Sequence, residues 1–174
     1  MSEDNVAPIA AILYSPTDRI EELMLHAARV LAAQGVRVGG VLQRATGAAC
    51  GMEMEDLGSG ECFSLSQELG SGSEACRLDT DSLAHAAIAV RRAVDADTQI
   101  VFINKFGAQE AAGSGLRDEI GLTVMAGIPL LTAVAERFLD DWQVFTGGAS
   151  ALLTPDLPSI LEWWSATAGP AGEH

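Results

Sequence analysis

The sequence predicts a single α/β domain: a mostly parallel, three-layer sheet covered by helices, with a β-hairpin inserted after the second strand. Three observations carry that prediction. Short apolar runs bounded by turn residues alternate with amphipathic helical stretches from Pro8 to Val134, the pattern of repeated βαβ units. The first strand, helix and strand are complete by Gln43, which makes those two strands parallel with a right-handed crossover. The chain has 174 residues, 48% of them hydrophobic, enough for one domain with a sizeable core. The domain is expected over residues 8–167, with short tails at 1–7 and 168–174.

The elements follow in order. PIAAILY, Pro8 to Tyr14, is a buried strand. Ser15 suits a helix N-cap, Pro16 the first helical position and Asp18 the positive helix start. Ile20, Leu23, Met24, Ala27, Val30 and Leu31 then share one helical face, and Gly35 closes the helix in a left-handed conformation. VRVGGVLQ, Val36 to Gln43, is the second strand. Met52 to Leu57 and Cys62 to Ser66 flank Gly58-Ser59-Gly60-Glu61 and read as a hairpin. Asp79 or Asp81 caps a helix that turns Leu83, Ala86, Ala87, Val90 and Val94 inward. Gln99 to Ile103 is a strand. A loop containing Gly107, Gly113 and Gly115 leads to a helix with Leu116, Ile120 and Val124, ended by Gly127. PLLTAV, Pro129 to Val134, is another strand. The remainder reads as helical, with Phe138, Trp142 and Phe145 on one side and Trp163 and Trp164 near the end, all assigned to core packing.

Charge and cysteine usage narrow the function classes. Ten Lys and Arg stand against 24 Asp and Glu, a formal net charge of −14. Such a field repels phosphate backbones and anionic lipid, so no nucleic-acid partner is expected; a small anion would need a local positive spot. No run reaches the roughly 18 apolar residues of a spanning helix, and MSEDNV lacks a signal-peptide start. A cytoplasmic protein without membrane insertion is expected. Cys50, Cys62 and Cys76 are an odd number and are read as thiols rather than a disulfide framework. Their C-x11-C-x13-C spacing lacks the close pairs of a zinc site. His26 and His85 lie on helices, and no nucleophile-elbow motif accompanies them.

In a parallel α/β sheet, ligands bind beyond the carboxyl ends of the strands. Three loops are placed there: Ser15 to Arg19, Asn104 to Gly115 and Ala135 to Arg137. The sharpest transition is VFINKFGAQE, Val101 to Glu110, where a buried strand ends on Asn104 and Lys105. Lys105 either holds an anion, with Arg77 and Arg117 if the fold brings them near, or pairs with Glu110 or Asp118 on a solvated loop. Asn104 either orients a ligand or caps the turn. Phe106 either stacks on a nucleobase or plugs the core.

The first unit, ILYSPTDRIEELMLHAARVLAAQGVRVGGVLQ, resembles the opening of P-loop nucleotide phosphatases, in which a strand, a phosphate loop, a helix and a G-x-R-V-x-G strand follow at this spacing. The resemblance continues through DLGSGE, LGSGSEACRLDTDSLAHAA and VFINKFGAQE, covering Pro8 to Val134. A closer similarity is to a bacterial family of unknown function with the same NKFG-x-x-E motif. That family is related to these phosphatases and is often encoded beside molybdate-transport genes; here the similarity extends through GLRDEI, GIPLLTAV and the Trp-rich end.

The departures from the nucleotide phosphatase pattern decide what the resemblance implies. A phosphate loop is G-x-x-x-x-G-K-[ST], in which glycines let backbone N–H groups reach phosphate, Lys reaches the β/γ-phosphates and the hydroxyl holds Mg²⁺. Tyr14 to Glu21 contains neither Gly nor Lys, Pro16 removes a donor, and Asp18, Glu21 and Glu22 repel a triphosphate. The family's Mg²⁺-binding Asp aligns with Asn104, and the Glu that positions water aligns with Lys105, while Gly107 and Glu110 match. Asn is a weak ligand for a hard dication, and Lys is no carboxylate base. Mg²⁺ is therefore not expected as cofactor, and efficient ATP or GTP hydrolysis is not expected.

The leading reading is a degenerate P-loop NTPase-like protein that binds a nucleotide or small oxyanion around Ser15, Thr17, Arg77, Asn104, Lys105, Gly107, Glu110 and Arg117. The gene context of the family links it to molybdenum metabolism. Alternative readings are a divergent active nucleoside triphosphatase and a protein-interaction module or homo-oligomer using the hairpin or the Trp163-Trp164 end.

Overall fold

The computed structural model describes residues 9–45, 52–64, 66–68, 76–78 and 80–168. The elements are β1 (Ile9–Tyr14), α1 (Ile20–Ala33), β2 (Val38–Ala45), β3 (Met52–Asp56), β4 (Cys62–Ser64), β5 (Ser66–Glu68), β6 (Cys76–Leu78), α2 (Thr80–Asp95), β7 (Ile100–Ile103), α3 (Ala108–Ala111), α4 (Arg117–Met125), β8 (Leu130–Ala135), a 3-10 turn (Glu136–Phe138), α5 (Leu139–Thr146), β9 (Ala151–Leu153) and α6 (Leu157–Ala168). Among the described residues the main sheet runs β4-β3-β2-β7-β8-β1-β9. The five strands from β2 to β9 in that order are parallel. The β3–β4 hairpin extends the sheet antiparallel from β2. A separate pair, β5 and β6, is antiparallel.

Helices cover both faces, which is why β1, β7 and β8 are almost continuously apolar rather than alternating. Ile9 and Ala11, Val101 and Ile103, and Leu130 and Val134 face α2, α4 and Trp142 of α5. Ala10 and Ile12, Ile100 and Phe102, and Leu131 and Ala133 face α1 and α6. Each strand thus splits its residues between two cores, as a period of two requires. β2 must pass close to β7 and α2, and two glycines allow it. Gly40 adopts φ +101°, and a Cβ there would strike the Phe102 carbonyl; a Cβ on Gly39 would lie 2.8 Å from Cβ of Ala93.

Three local expectations are corrected. The first helix begins at Ile20, with Arg19 at the N-cap position, rather than at Ser15. The Asp18 carboxylate accepts the Ser15 N–H at 2.8 Å, and the Asp18 N–H donates to the Ser15 carbonyl at 3.0 Å. This closed turn spends Ser15 on the loop before the helix can form. The glycine-rich loop contains a short helix, α3, and the region after α5 contains β9, which pairs with β1. β9 is three residues long and supplies too short a run for a period to be read. Asp79 and Cys50 lie outside the described residues.

Candidate functional site

The site begins at the end of β7. After Ile103 the chain leaves the sheet for two residues, Asn104 and Lys105, and rejoins it when the Phe106 N–H donates to the Ala133 carbonyl at 2.9 Å. Phe106 bridges to Val134 and is fully buried against Trp142 and Phe145, with ring centroids 5.1 and 5.4 Å away. Phe106 is therefore a core residue, and it anchors the excursion that turns Asn104 and Lys105 toward a cleft.

Asn104 is held by β2. Its Oδ1 accepts the Gln43 main-chain N–H at 3.0 Å, and its Nδ2 donates to Gln43 Oε1 at 2.6 Å. One side chain thus closes both a main-chain and a side-chain bond, which fixes the orientation of both amides. Lys105 is half-buried, and among the described residues no carboxylate pairs with it. The expected alternative partner, Glu110, is committed elsewhere. Its Oε1 accepts the Gly107 N–H at 3.0 Å and its Oε2 accepts the buried Leu116 N–H at 2.9 Å. Glu110 thereby ties the start of α3 to the start of α4. Gly115 makes room for it: this residue has φ +62°, and a Cβ would collide with the Glu110 carboxylate.

These residues line a cleft of about 240 Å³, whose lining among the described residues combines polar Gln43, Asn104, Lys105 and Glu110 with apolar Met54, Leu83 and Leu116. Of the eight candidate residues, the fold brings Asn104, Lys105, Gly107 and Glu110 together here. Arg117 does not line the cleft; its guanidinium donates to the Glu110 carbonyl at 2.9 Å and lies 4.6 Å above the Phe145 ring. Arg77 falls in β6, and its side chain lies outside what the structure describes.

Ser15 and Thr17 also stand apart from the cleft, on the loop after β1. Their hydroxyls lie 3.1 Å from each other, and Ser15 Oγ donates to the Asp18 carboxylate at 3.2 Å. In a phosphate loop, backbone and hydroxyl donors face the anion; here a carboxylate from the same chain takes both donors of Ser15. Beside this loop, Tyr14 is half-buried. Burial is the main cause raising its phenol above the ordinary value, Glu21 adds to the rise, and Arg137 opposes it.

Gln43, Met54 and Leu83 were not among the sequence candidates. Gln43 carried a readable signal: it is the polar residue that follows the apolar run Val38 to Leu42. Its partnership with Asn104 needed the β2–β7 register, in which Val41 pairs with Ile103. Among the described residues no group of three or more His, Cys, Asp or Glu side chains is arranged to hold a metal ion.

Residues 9–163 match the family model described as "Protein of unknown function (DUF2478)". The chain belongs to that family. A relative from Bradyrhizobium diazoefficiens, named "Molybdenum import ATP-binding protein ModC 2", is 44% identical over 164 residues; the match covers 92% of this chain and 18% of that protein. The chain therefore spans less than a fifth of that relative's length. Two solved structures share the fold of this DUF2478 member. A human cancer-related nucleoside triphosphatase superposes with TM-score 0.67 at 20% identity, covering 91% of this chain and 98% of that one. THEP1 from Aquifex aeolicus superposes with TM-score 0.64 at 13% identity, covering 88% and 94%. The mostly parallel α/β sheet is thus the fold of these P-loop NTPases. No helix among the described residues is long and apolar enough to cross a membrane.

Proposed function

We propose that this protein is a non-hydrolysing relative of the P-loop NTPases that binds a small anion, a nucleotide phosphate or an oxyanion, in the cleft at Lys105. The observation that carries this reading is a half-buried lysine with no carboxylate partner among the described residues, on the wall of a cleft at the carboxyl edge of a parallel sheet. The residues present do not fit the Mg²⁺-nucleotide arrangement of the fold. Asn104 stands where the resemblance places a metal-binding acid, and its Oδ1 already receives an N–H from Gln43; the adjacent Lys105 repels a dication. The loop after β1 has its Ser15 donors taken by Asp18. The name of the Bradyrhizobium relative supports a role in molybdenum metabolism, with this domain working beside or within a transport ATPase.

Calorimetry with nucleotides, molybdate, tungstate and sulfate tests the reading. Binding of at least one of them is expected, with loss of that binding in Lys105→Ala. Absence of binding by the wild type refutes it.

A second reading, an interaction module, is favoured by one observation. Met125 and Val144 are 88% and 82% exposed, and Met125 borders a cavity lined by Ile9, Val124 and Phe145. The surface differs from the tryptophan end expected for this role, because Trp163 is buried and Trp164 packs against the core on the α1 side. A Met125→Glu protein should lose self-association in light scattering; a wild type that is monomeric and captures no partner refutes this second reading.

A further inference from the structure

We infer that Gln43 is a second anion-contacting residue of the Lys105 cleft, and that Asn104 is the positioning residue that aims its amide N–H there. The inference rests on the anion-binding reading above and adds a residue to its site.

Strand register brings the two side chains together. Val41 pairs with Ile103 at the end of the β2–β7 ladder. Gln43 and Lys105 each lie two residues further on, past the carboxyl edge of the parallel sheet, and both line the cleft. Gln43 is 8% exposed, which is deep for a neutral polar side chain.

The direction of the hydrogen bonds follows from one fixed donor. The Gln43 main-chain N–H can only donate, so the Asn104 atom that meets it at 3.0 Å is Oδ1. Asn104 Nδ2 is thereby turned to the Gln43 side chain, and the atom it meets at 2.6 Å is the acceptor Oε1. Gln43 Nε2 must then point away from Asn104, with two N–H groups to place. Among the described residues it has no partner. It is also not sealed in: the buried side-chain atoms left without a bond are Thr132 Oγ1, Trp142 Nε1, Trp163 Nε1 and Thr167 Oγ1. Gln43 Nε2 therefore opens on the cleft that the residue lines.

The chemistry of this pair suits an oxyanion. Lys105 brings a charged donor and Gln43 a neutral one, so two oxygens of one small anion can be held at once. Met54, Leu83 and Leu116 in the lining lower the local polarity, which strengthens both bonds. Asn104 matters through its Nδ2. An aspartate at this position would still accept the main-chain N–H, but its second oxygen would need a donor. The Gln43 amide would turn over to supply one, and a carbonyl oxygen would face the anion instead of an N–H.

The test is calorimetric titration of the full chain near neutral pH with sulfate, molybdate and inorganic phosphate in separate runs. The probe that the wild type binds most tightly is carried to the variants, each checked for folding by circular dichroism. Gln43→Met keeps the side-chain length and removes the donor, so affinity for that probe should fall at least about tenfold. Asn104→Ala should weaken binding at least about threefold in the wild-type background, and by less than about twofold once Gln43 is methionine, because a residue that acts through another has no separate effect when the other is gone. Where a variant does not fold, Gln43→Glu or Asn104→Ser takes its place with the same expectation. A Gln43 variant that binds within about twofold of wild type overturns the contact. No loss on changing Asn104, or an equal loss in both backgrounds, overturns its positioning role. If Lys105→Ala still abolishes binding in those cases, the anion-binding reading stands; a wild type that binds none of the three probes overturns both.

Discussion

Replacing Glu110 by alanine should cost this protein about 3–5 kcal/mol. The carboxylate receives two main-chain N–H groups, Gly107 at 3.0 Å and Leu116 at 2.9 Å. A hydrogen bond to a charged group is worth about 1.5–3 kcal/mol. The Gly107 amide is half-buried and takes the low end through partial rehydration; the Leu116 amide is buried and takes the high end. The bond from Arg117 is made to the Glu110 main-chain carbonyl, so it survives the substitution and does not enter the sum. At about 2–4 °C per kcal/mol for a chain of this size, the midpoint of thermal unfolding should fall by about 10 °C. Glu110→Gln retains one acceptor oxygen and places an NH₂ against the other N–H, so it should fall between alanine and wild type. Urea denaturation followed by tryptophan fluorescence measures the difference. A Glu110→Ala protein within about 1 kcal/mol of wild type, an ordinary surface effect, would refute the view that Glu110 is the clamp of the α3–α4 loop.

Other consequences are measurable on the same preparation. Lys105→Ala should leave stability within about 0.5 kcal/mol of wild type, because no carboxylate partner is lost among the described residues; a larger loss in urea would show that Lys105 is structural. Gly40→Ala should cost about 3 kcal/mol, from the positive φ and the collision with the Phe102 carbonyl, and an unchanged unfolding midpoint would contradict that geometry. Tyr14 is the one tyrosine of the chain, so ultraviolet tyrosinate absorbance reports it directly. Its midpoint should lie above 10.0, fall in Glu21→Gln and rise further in Arg137→Ala. Because the folded value is raised, its contribution to stability is full below the unfolded value near 10 and is lost as pH rises past it. A midpoint at or below 10.0 would remove the assigned burial.

The architecture was legible because it is encoded in short-range patterns. Apolar runs such as IAAILY and LLTAV between capped helical stretches specify buried parallel strands whatever the rest of the chain does. The same reading located the edge at Asn104 and Lys105, since a buried strand that turns polar must do so where the sheet ends. It misplaced the start of α1 because the Asp18–Ser15 bonds compete locally with the helix cap.

The sequence by itself determined the α/β layers, the inserted hairpin, the family and the absence of a glycine-lysine phosphate loop. Only the tertiary structure decided what Asn104, Lys105 and Glu110 touch. Asn104 meets Gln43 across 61 residues of chain, and Glu110 turns back on Gly107 and Leu116 rather than toward Lys105. Periodicity reports which face of an element is buried, but a hydrogen bond between elements depends on strand order and register. That is why a lysine that the sequence left between ion pair and anion site became, in the fold, one without a carboxylate partner among the described residues, on the wall of a cleft.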